Sequence, residues 1–512
     1  MNKTNNQRIA KNTFMLFTRM IVLMLVTLYT SRIILNVLGV IDYGIYNLVA
    51  GVVTSLSFLN SSMSSATQRF LSYELGAKNT QKIKMVFSMS VNIHIIIAVL
   101  ILIISETIGL WVLNNSLKIP SERLVAANWV YQFSILTFIV NIISVPYNAA
   151  IITYEKMNVF ALISVFEVVL KLIAVFILEA FGYDKLQLYA ILIFSVSFII
   201  RIIYGQYTKR NIKDCCYIFT WDKCLFKTLL SYSSWNLWGN IASVGFNSGI
   251  DILLNIFFGP MVNAAKGIAY QVNYALSSFL INFQTAMNPQ IIKSYAAENY
   301  DYMIKLVFTG ARLSYYLMLL ISLPLILSTP QIVHWWLGKV PDYTTVFCRL
   351  IIINTLINSI SGTLMTGVQA TGKIKLYQSV VGGLLLLIVP ISYVFLKFGY
   401  PPQTTFYVYI ALSITSLFAR IAIISPILKI PKVRFTKDLL LPIFFISIGP
   451  LTILLLLNNY SENNFNNFIF LNLILFSTTL TIIYFFGLKK EEKEFIASNI
   501  SSINKKFKLL KK

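Results

Sequence analysis

Long apolar runs, broken by short polar and often basic segments, fill almost the whole chain. A helix that crosses a bilayer needs about 20 mostly apolar residues. Runs of that length predict spans at roughly 12–38, 44–66, 84–104, 124–146, 157–179 and 187–206. After a polar break they resume at roughly 229–258, 264–289, 305–328, 345–368, 378–397 and 404–428. Two more, near 438–457 and 468–486, bring the total to about 14. The expected architecture is therefore an all-α polytopic membrane protein in a 6 + 6 + 2 arrangement. Its parts are an N-terminal half at 1–206, a linker at 207–228, a C-terminal half at 229–428, and two additional helices with a basic tail at 429–512.

The two six-helix halves repeat one another. LNVLG at 35–39 matches LNIFFG at 254–259, QRFLSYELGAKN at 68–79 matches QIIKSYAAENYD at 290–301 with an offset of 222, and YEKMNVF at 154–160 matches TGKIKLY at 371–377. An even number of helices per half gives the copies the same orientation, so they form parallel pseudo-symmetric repeats with a substrate site between them.

Composition narrows the function classes. Of the 512 residues 57% are hydrophobic and 12% charged, against about 25% charged in a soluble domain, which excludes a soluble enzyme. The net charge of +23 reads as topology rather than nucleic-acid binding. With the N-terminus inside, 29 of the 42 Lys and Arg fall on the inner side and five (Lys118, Arg123, Lys185, Lys339 and Lys397) on the outer. Both termini are expected to be cytoplasmic. Lys3, Arg8 and Lys11 lead into an apolar run too long for a signal peptide, so the first span is expected to be kept. The cysteines at 215, 216, 224 and 348 lie apart from His94 and His334, so no metal site is expected. No G-x-x-x-x-G-K-[ST] loop occurs and no cofactor is expected.

The run TRMIVLMLVTLYTSRIILNVLGVIDYGIYNLVAGV, the segment SSMSSATQRFLSYELGAKN and the stretch YEKMNVFALISVFEVVLKL resemble the bacterial polysaccharide flippases of the multidrug/oligosaccharidyl-lipid/polysaccharide exporter superfamily. The resemblance spans the chain and rests on pattern rather than on a strict motif. It implies an alternating-access flippase in the bacterial inner membrane that moves an undecaprenyl-diphosphate-linked oligosaccharide, an O-antigen or other surface-polysaccharide repeat unit, to the periplasmic leaflet. Membrane lipid, a polysaccharide polymerase and chain-length proteins are the implied partners, with no nucleic acid. The alternative within the superfamily is a cation-coupled multidrug exporter. A membrane polysaccharide polymerase or glycosyltransferase fits less well, because the outer loops are too short for a catalytic face, and the chain is not expected to be an enzyme.

Such cargo requires a polar, partly cationic cavity, because an isolated charge costs at least about 2.5 kcal/mol at the bilayer centre. In the seventh span Asn236, Asn240, Ser243, Asn247, Asp251 and Asn255 recur every three or four residues and form one polar stripe. In the first span Arg32 shares a face with Tyr29 and Asn36. At the repeat offset of 219, Arg32 corresponds to Asp251, which suggests a gating pair or a cation for the diphosphate beside a titratable acid. Lys266 opens the eighth span near the outer mouth. Glu167 and Lys171, an i, i+4 pair near the midplane, are candidates with Asp251 for ion coupling. Arg19 and Arg312 are within reach of the inner interface, where snorkelling is the default, and His94 is expected to bond a neighbouring helix. Asn60, Ser61, Ser62, Ser64 and Ser65 in the second span, and Asn282, Gln284 and Asn288 in the eighth, would suit sugar hydroxyls.

Overall fold

The computed structural model describes residues 3–54, 57–115, 119–180, 184–458 and 465–494. The tail beyond 494 and Lys118 lie outside the described residues. The elements are α1 (Lys3–Thr54), α2 (Ser57–Gly76), α3 (Thr80–Ile104), α4 (Leu110–Asn115), α5 (Leu124–Thr153), α6 (Met157–Ala180), α7 (Lys185–Asn211), α8 (Lys223–Phe258), α9 (Pro260–Ala296), α10 (Tyr300–Leu337), α11 (Thr344–Asn358), α12 (Ser361–Thr371), α13 (Lys375–Lys397), α14 (Thr404–Ile427), α15 (Lys432–Phe435), α16 (Leu441–Asn458) and α17 (Phe465–Ile482). All are helical, as the apolar runs predict.

Among the described residues eleven helices are long and apolar enough to cross a membrane, and the bent pair α11–α12 makes twelve. One expected span, α9, is not among them, and the expected span at 44–66 runs across residues 55 and 56, which lie outside the described residues. Helices α2 and α9 hold equivalent positions in the two halves, and α2 carries Asn60 and six serines where α9 carries Asn273, Asn282, Gln284, Asn288 and Gln290. Helices of this polarity are kept out of lipid by their neighbours.

The repeat is written in the backbone. Gly39 and Gly259, the last residues of the matched LNVLG and LNIFFG segments, sit in interhelix turns at φ 76° and 80°, a region open to glycine without strain. Lys78 and Glu298 share φ near 57° and 58° in turns of one pattern: Asn79 N–H donates to Glu74 O and Asn299 N–H to Ser294 O, and each Asn side chain then caps the following helix. These turns fix the offset there at 220 rather than 222, aligning AKN at 77–79 with AEN at 297–299. Glu155 and Gly372, at φ 56° and 79°, mark the third equivalent turn at the expected offset of 217.

Contacts divide the chain into two compact units. The first comprises 1–244, 281–306 and 366–383, and the second 245–280, 307–365 and 384–512. Ala126, Ala127, Val130, Tyr131 and Ile135 of α5 pack with Ala98 and Ile101 of α3 in a core of the first unit. At the end of this unit that carries the α2–α3, α5–α6, α9–α10 and α12–α13 turns, segments of both halves meet. The Arg69 guanidinium donates to the Gln369 and Ala370 carbonyls, and Glu155 accepts from Gln290 and pairs with Lys293. Phe70 packs edge-on to Tyr232, and the ring of Tyr73 lies 6.4 Å from that of Tyr295.

Gly76 lies at this closure. A Cβ there would be 2.5 Å from the Lys293 carbonyl oxygen and 2.7 Å from its Cα. Because the obstacle is backbone, Gly76→Ala is expected to force α2 and α9 apart and to cost about 1–3 kcal/mol. The readout is a lower melting temperature of the purified protein. Gly44→Ala, where nothing lies within 4 Å, is the control and should leave melting nearly unchanged; equal melting of the two variants would deny the tight contact.

In the second unit Phe246, Ile250, Phe347, Ile351 and Phe406 form the core, with the rings of Phe347 and Phe406 4.5 Å apart. Phe444, Phe445, Leu455 and Leu456 leave α16 with an apolar exposed face, as a lipid-facing helix requires. Arg312 does not snorkel: it is buried and pairs with Glu492 of the segment after α17. An inward acid within reach outcompetes the distant interface.

Candidate functional site

Six helices of the first unit surround a cavity of about 730 Å³. Three polar rows build it. On α2 Asn60, Ser61 and Ser64 face inward; on α5 Asn141, Ser144 and Asn148 recur at three and four residues; on α6 Phe160, Ser164 and Glu167 do the same. Arg19 of α1, Ser197 and Tyr204 of α7, and Asn240 and Ser243 of α8 complete the wall. The spacing of three to four is what puts each set on one helical face.

Two ionic groups enter this wall. The Arg19 guanidinium lies 4.5 Å from the centroid of the Phe160 ring, so its charge is partly held by the ring face. Glu167 accepts from Lys171 Nζ at 2.6 Å, as the i, i+4 spacing predicts, and only Glu167 of that pair lines the cavity. Arg19 Nε, Asn60 Oδ1 and Asn148 Oδ1 are buried without a hydrogen-bond partner among the described residues. Such groups at a cavity wall can bond either water or a polar solute. The wall presents one cation, one anion and many neutral amides and hydroxyls, which can donate and accept toward a solute without changing net charge.

The expected α8 stripe is divided. Asn240 and Ser243 line the cavity, and Asn240 Nδ2 donates to Ser61 and Ser62 at 3.0 and 2.7 Å. Asn236 is buried and accepts from Gln378 Nε2 at 3.0 Å. Asn247 and Asp251 belong to the second unit, where Lys266 joins them: its Nζ donates to the Asn247 carbonyl at 2.8 Å and to Asp251 at 2.7 Å, with the Tyr270 ring centroid 5.0 Å away. Lys266 is 3% exposed and Asp251 55%, so the pair has a buried cation and an accessible anion. Asn255 is exposed. Tyr29, Arg32 and Asn36 are exposed on α1. The ion pair of Asp251 thus goes to Lys266, fifteen residues along the chain.

Sequence reasoning missed Arg19, assigned to the interface, and the α5 row Asn141, Ser144 and Asn148. The signal was there: three polar residues at helical spacing inside an apolar run, as in α8. His94, expected to bond another helix, bonds the Ser90 carbonyl one turn back in α3 at 2.6 Å.

No family profile and no curated protein matches the sequence. Solved structures do match in fold. A MATE transporter in complex with MaD3S aligns with TM-score 0.73 and 13% identity over 83% of this chain and 97% of its own. An outward-facing multidrug resistance MATE family transporter of the MOP superfamily aligns with TM-score 0.69 and 15% identity over 82% and 94%. A MOP superfamily transporter from Pyrococcus furiosus, described as having a binding pocket of reverse polarity that suggests a different function, aligns with TM-score 0.72 and 12% identity over 83% and 97%. At these identities the likeness establishes the fold.

Proposed function

We propose that this multi-pass membrane protein is a transporter, not an enzyme, which carries an amphipathic solute across the bilayer by exposing a polar cavity to its two sides in turn. The observation that carries this reading is the cavity of about 730 Å³, lined by Arg19, Glu167 and a majority of Asn and Ser, among helices with apolar outer faces. Polar groups at membrane depth are costly and are kept where a solute or ion passes. The excess of Lys and Arg on one side supports cytoplasmic termini in a bacterial inner membrane.

Two cargoes fit. The names of the structural neighbours support the export of multidrug-type solutes better than oligosaccharide flipping. The lining favours the second cargo: neutral amides and hydroxyls suit a hydroxyl-rich chain, and Arg19 offers a charge to a diphosphate, as an undecaprenyl-diphosphate-linked oligosaccharide would require. In that case a polysaccharide polymerase and chain-length proteins take up the product. A deletion strain, with and without the gene restored, decides between them. Accumulation of a fluorescent lipophilic cation, relieved by the gene, supports drug export. Lipid-linked oligosaccharide held on the cytoplasmic leaflet and released on complementation supports flipping. A strain unchanged in both would overturn the transport reading.

A further inference from the structure

The linker between α7 and α8 is not a solvated loop. After a short turn at Lys213–Cys215 the chain is extended at Cys216 (φ −88°, ψ 130°) and forms neither helix nor strand as far as Asp222. Along this stretch it lies against α3: Ile218 N–H donates to Ser88 Oγ at 3.1 Å, Asn92 Nδ2 donates to the Thr220 carbonyl at 2.9 Å, and Tyr217 Oη donates to Asn92 Oδ1 at 2.9 Å. Ser88 and Asn92 are buried, and they follow Lys84, the last charge before the apolar run of α3, by about 6 and 12 Å along the helix axis. Irregular backbone is tolerated at such depth only where protein groups satisfy its N–H and C=O. Here α3 supplies those groups from Ser88 and Asn92, two members of its buried polar set Ser88, Ser90, Asn92 and His94.

The other face of the strap is bare. Ile218, Phe219 and Trp221 are 53%, 76% and 54% exposed in one run. Flanking them are five exposed cations, Lys209, Arg210, Lys213, Lys223 and Lys227. The two neighbouring acids are turned to internal duties: Asp214 accepts from Tyr154 Oη at 2.8 Å, and Asp222 caps α8 by accepting from the Cys224 and Leu225 N–H groups. What faces outward is thus three large apolar side chains, one a tryptophan, within a ring of positive charge. That combination suits the boundary between anionic headgroups and acyl chains, and an aqueous surface would gain nothing from it.

We propose that residues 216–222 form a membrane-surface strap that inserts Ile218, Phe219 and Trp221 into the headgroup–acyl boundary, with the flanking Lys and Arg on anionic lipid headgroups. This rests on the membrane-spanning fold alone and stands whichever cargo the protein carries. The test uses the full chain in nanodiscs of phosphatidylethanolamine and phosphatidylglycerol. Cys216 and Cys224 are replaced by serine; Cys215 and Cys348 are buried, and burial pushes the Cys215 thiol up, so neither competes for label. A nitroxide is attached at Phe219→Cys and, in a second protein, at Lys213→Cys, and its collisions with oxygen and with a water-soluble nickel chelate are measured. The ratio of oxygen to nickel collisions should be several-fold higher at 219 than at 213. Equal ratios would overturn the strap as a lipid contact, and so would a label at 219 shielded from both reagents, as by a protein surface. Ile218→Cys reads the same surface should Phe219→Cys not yield monodisperse protein.

Discussion

Arg19→Ala is expected to reduce transport by about 10- to 100-fold at unchanged protein abundance, the equivalent of about 1.5–3 kcal/mol for hydrogen bonds to a charged group. Arg19 is the cavity's cation, and its Nε has no partner among the described residues. The group therefore has bonding capacity to give to a solute. Its stacking on Phe160 makes the alanine variant lose packing as well, so Arg19→Lys is the necessary companion. Lysine keeps the charge but not the planar fork, and it should recover part of the activity if the charge matters and little if two-point recognition does. Transport at matched abundance, together with the melting temperature, separates the outcomes. A variant that melts early and transports normally once corrected for abundance would make Arg19 structural. Glu167→Gln in the same assay shows whether the acid opposite is needed, since removing it leaves Lys171 without its partner.

The second large effect is expected at the turn end of the first unit. Glu155, on a left-handed turn between α5 and α6, is 9% exposed and meets Lys293, 19% exposed, and Gln290 of α9. Because the pair is partly buried, removing one partner costs up to about 3 kcal/mol, the low end for buried pairs. If the pair holds this end shut in one of two alternating states, its loss shifts their ratio by up to about two orders of magnitude. Glu155→Lys should therefore nearly abolish transport, and the exchange Glu155→Lys with Lys293→Glu should restore a good part of it. Rescue by the exchange identifies the ion pair itself. Failure of the double variant, with both proteins folded by melting temperature, would mean that the pair does not control closure and that the Arg69 contacts with the Gln369 and Ala370 carbonyls hold this end by themselves.

Much was legible in the sequence because it depends on one helix at a time. Apolar runs of sufficient length announced the membrane fold, and the matched LNVLG and LNIFFG segments a repeat whose glycines both take positive φ. Glu167 with Lys171, and Asn240 with Ser243, were found by spacing along a single helix, where period and distance are linked. The polarity of α2 and α9 was likewise visible as sequence.

Only the tertiary structure decided which polar faces meet. Arg19 gave the same local signal as an interfacial arginine, because a residue seven positions into a span can reach the interface or a cavity, and the choice depends on α5, α6 and α7 standing beside it. Arg312 looked the same and found Glu492, 180 residues away. The Asp251 partner came from the following helix rather than from the repeat, since ion pairs follow distance in space and the repeat offset carries no distance. The linker's course along α3 was equally hidden: its hydrogen bonds join residues some 125–130 apart. Periodicity fixes which residues share a face, while the identity of the surface that covers that face is set by packing between distant segments.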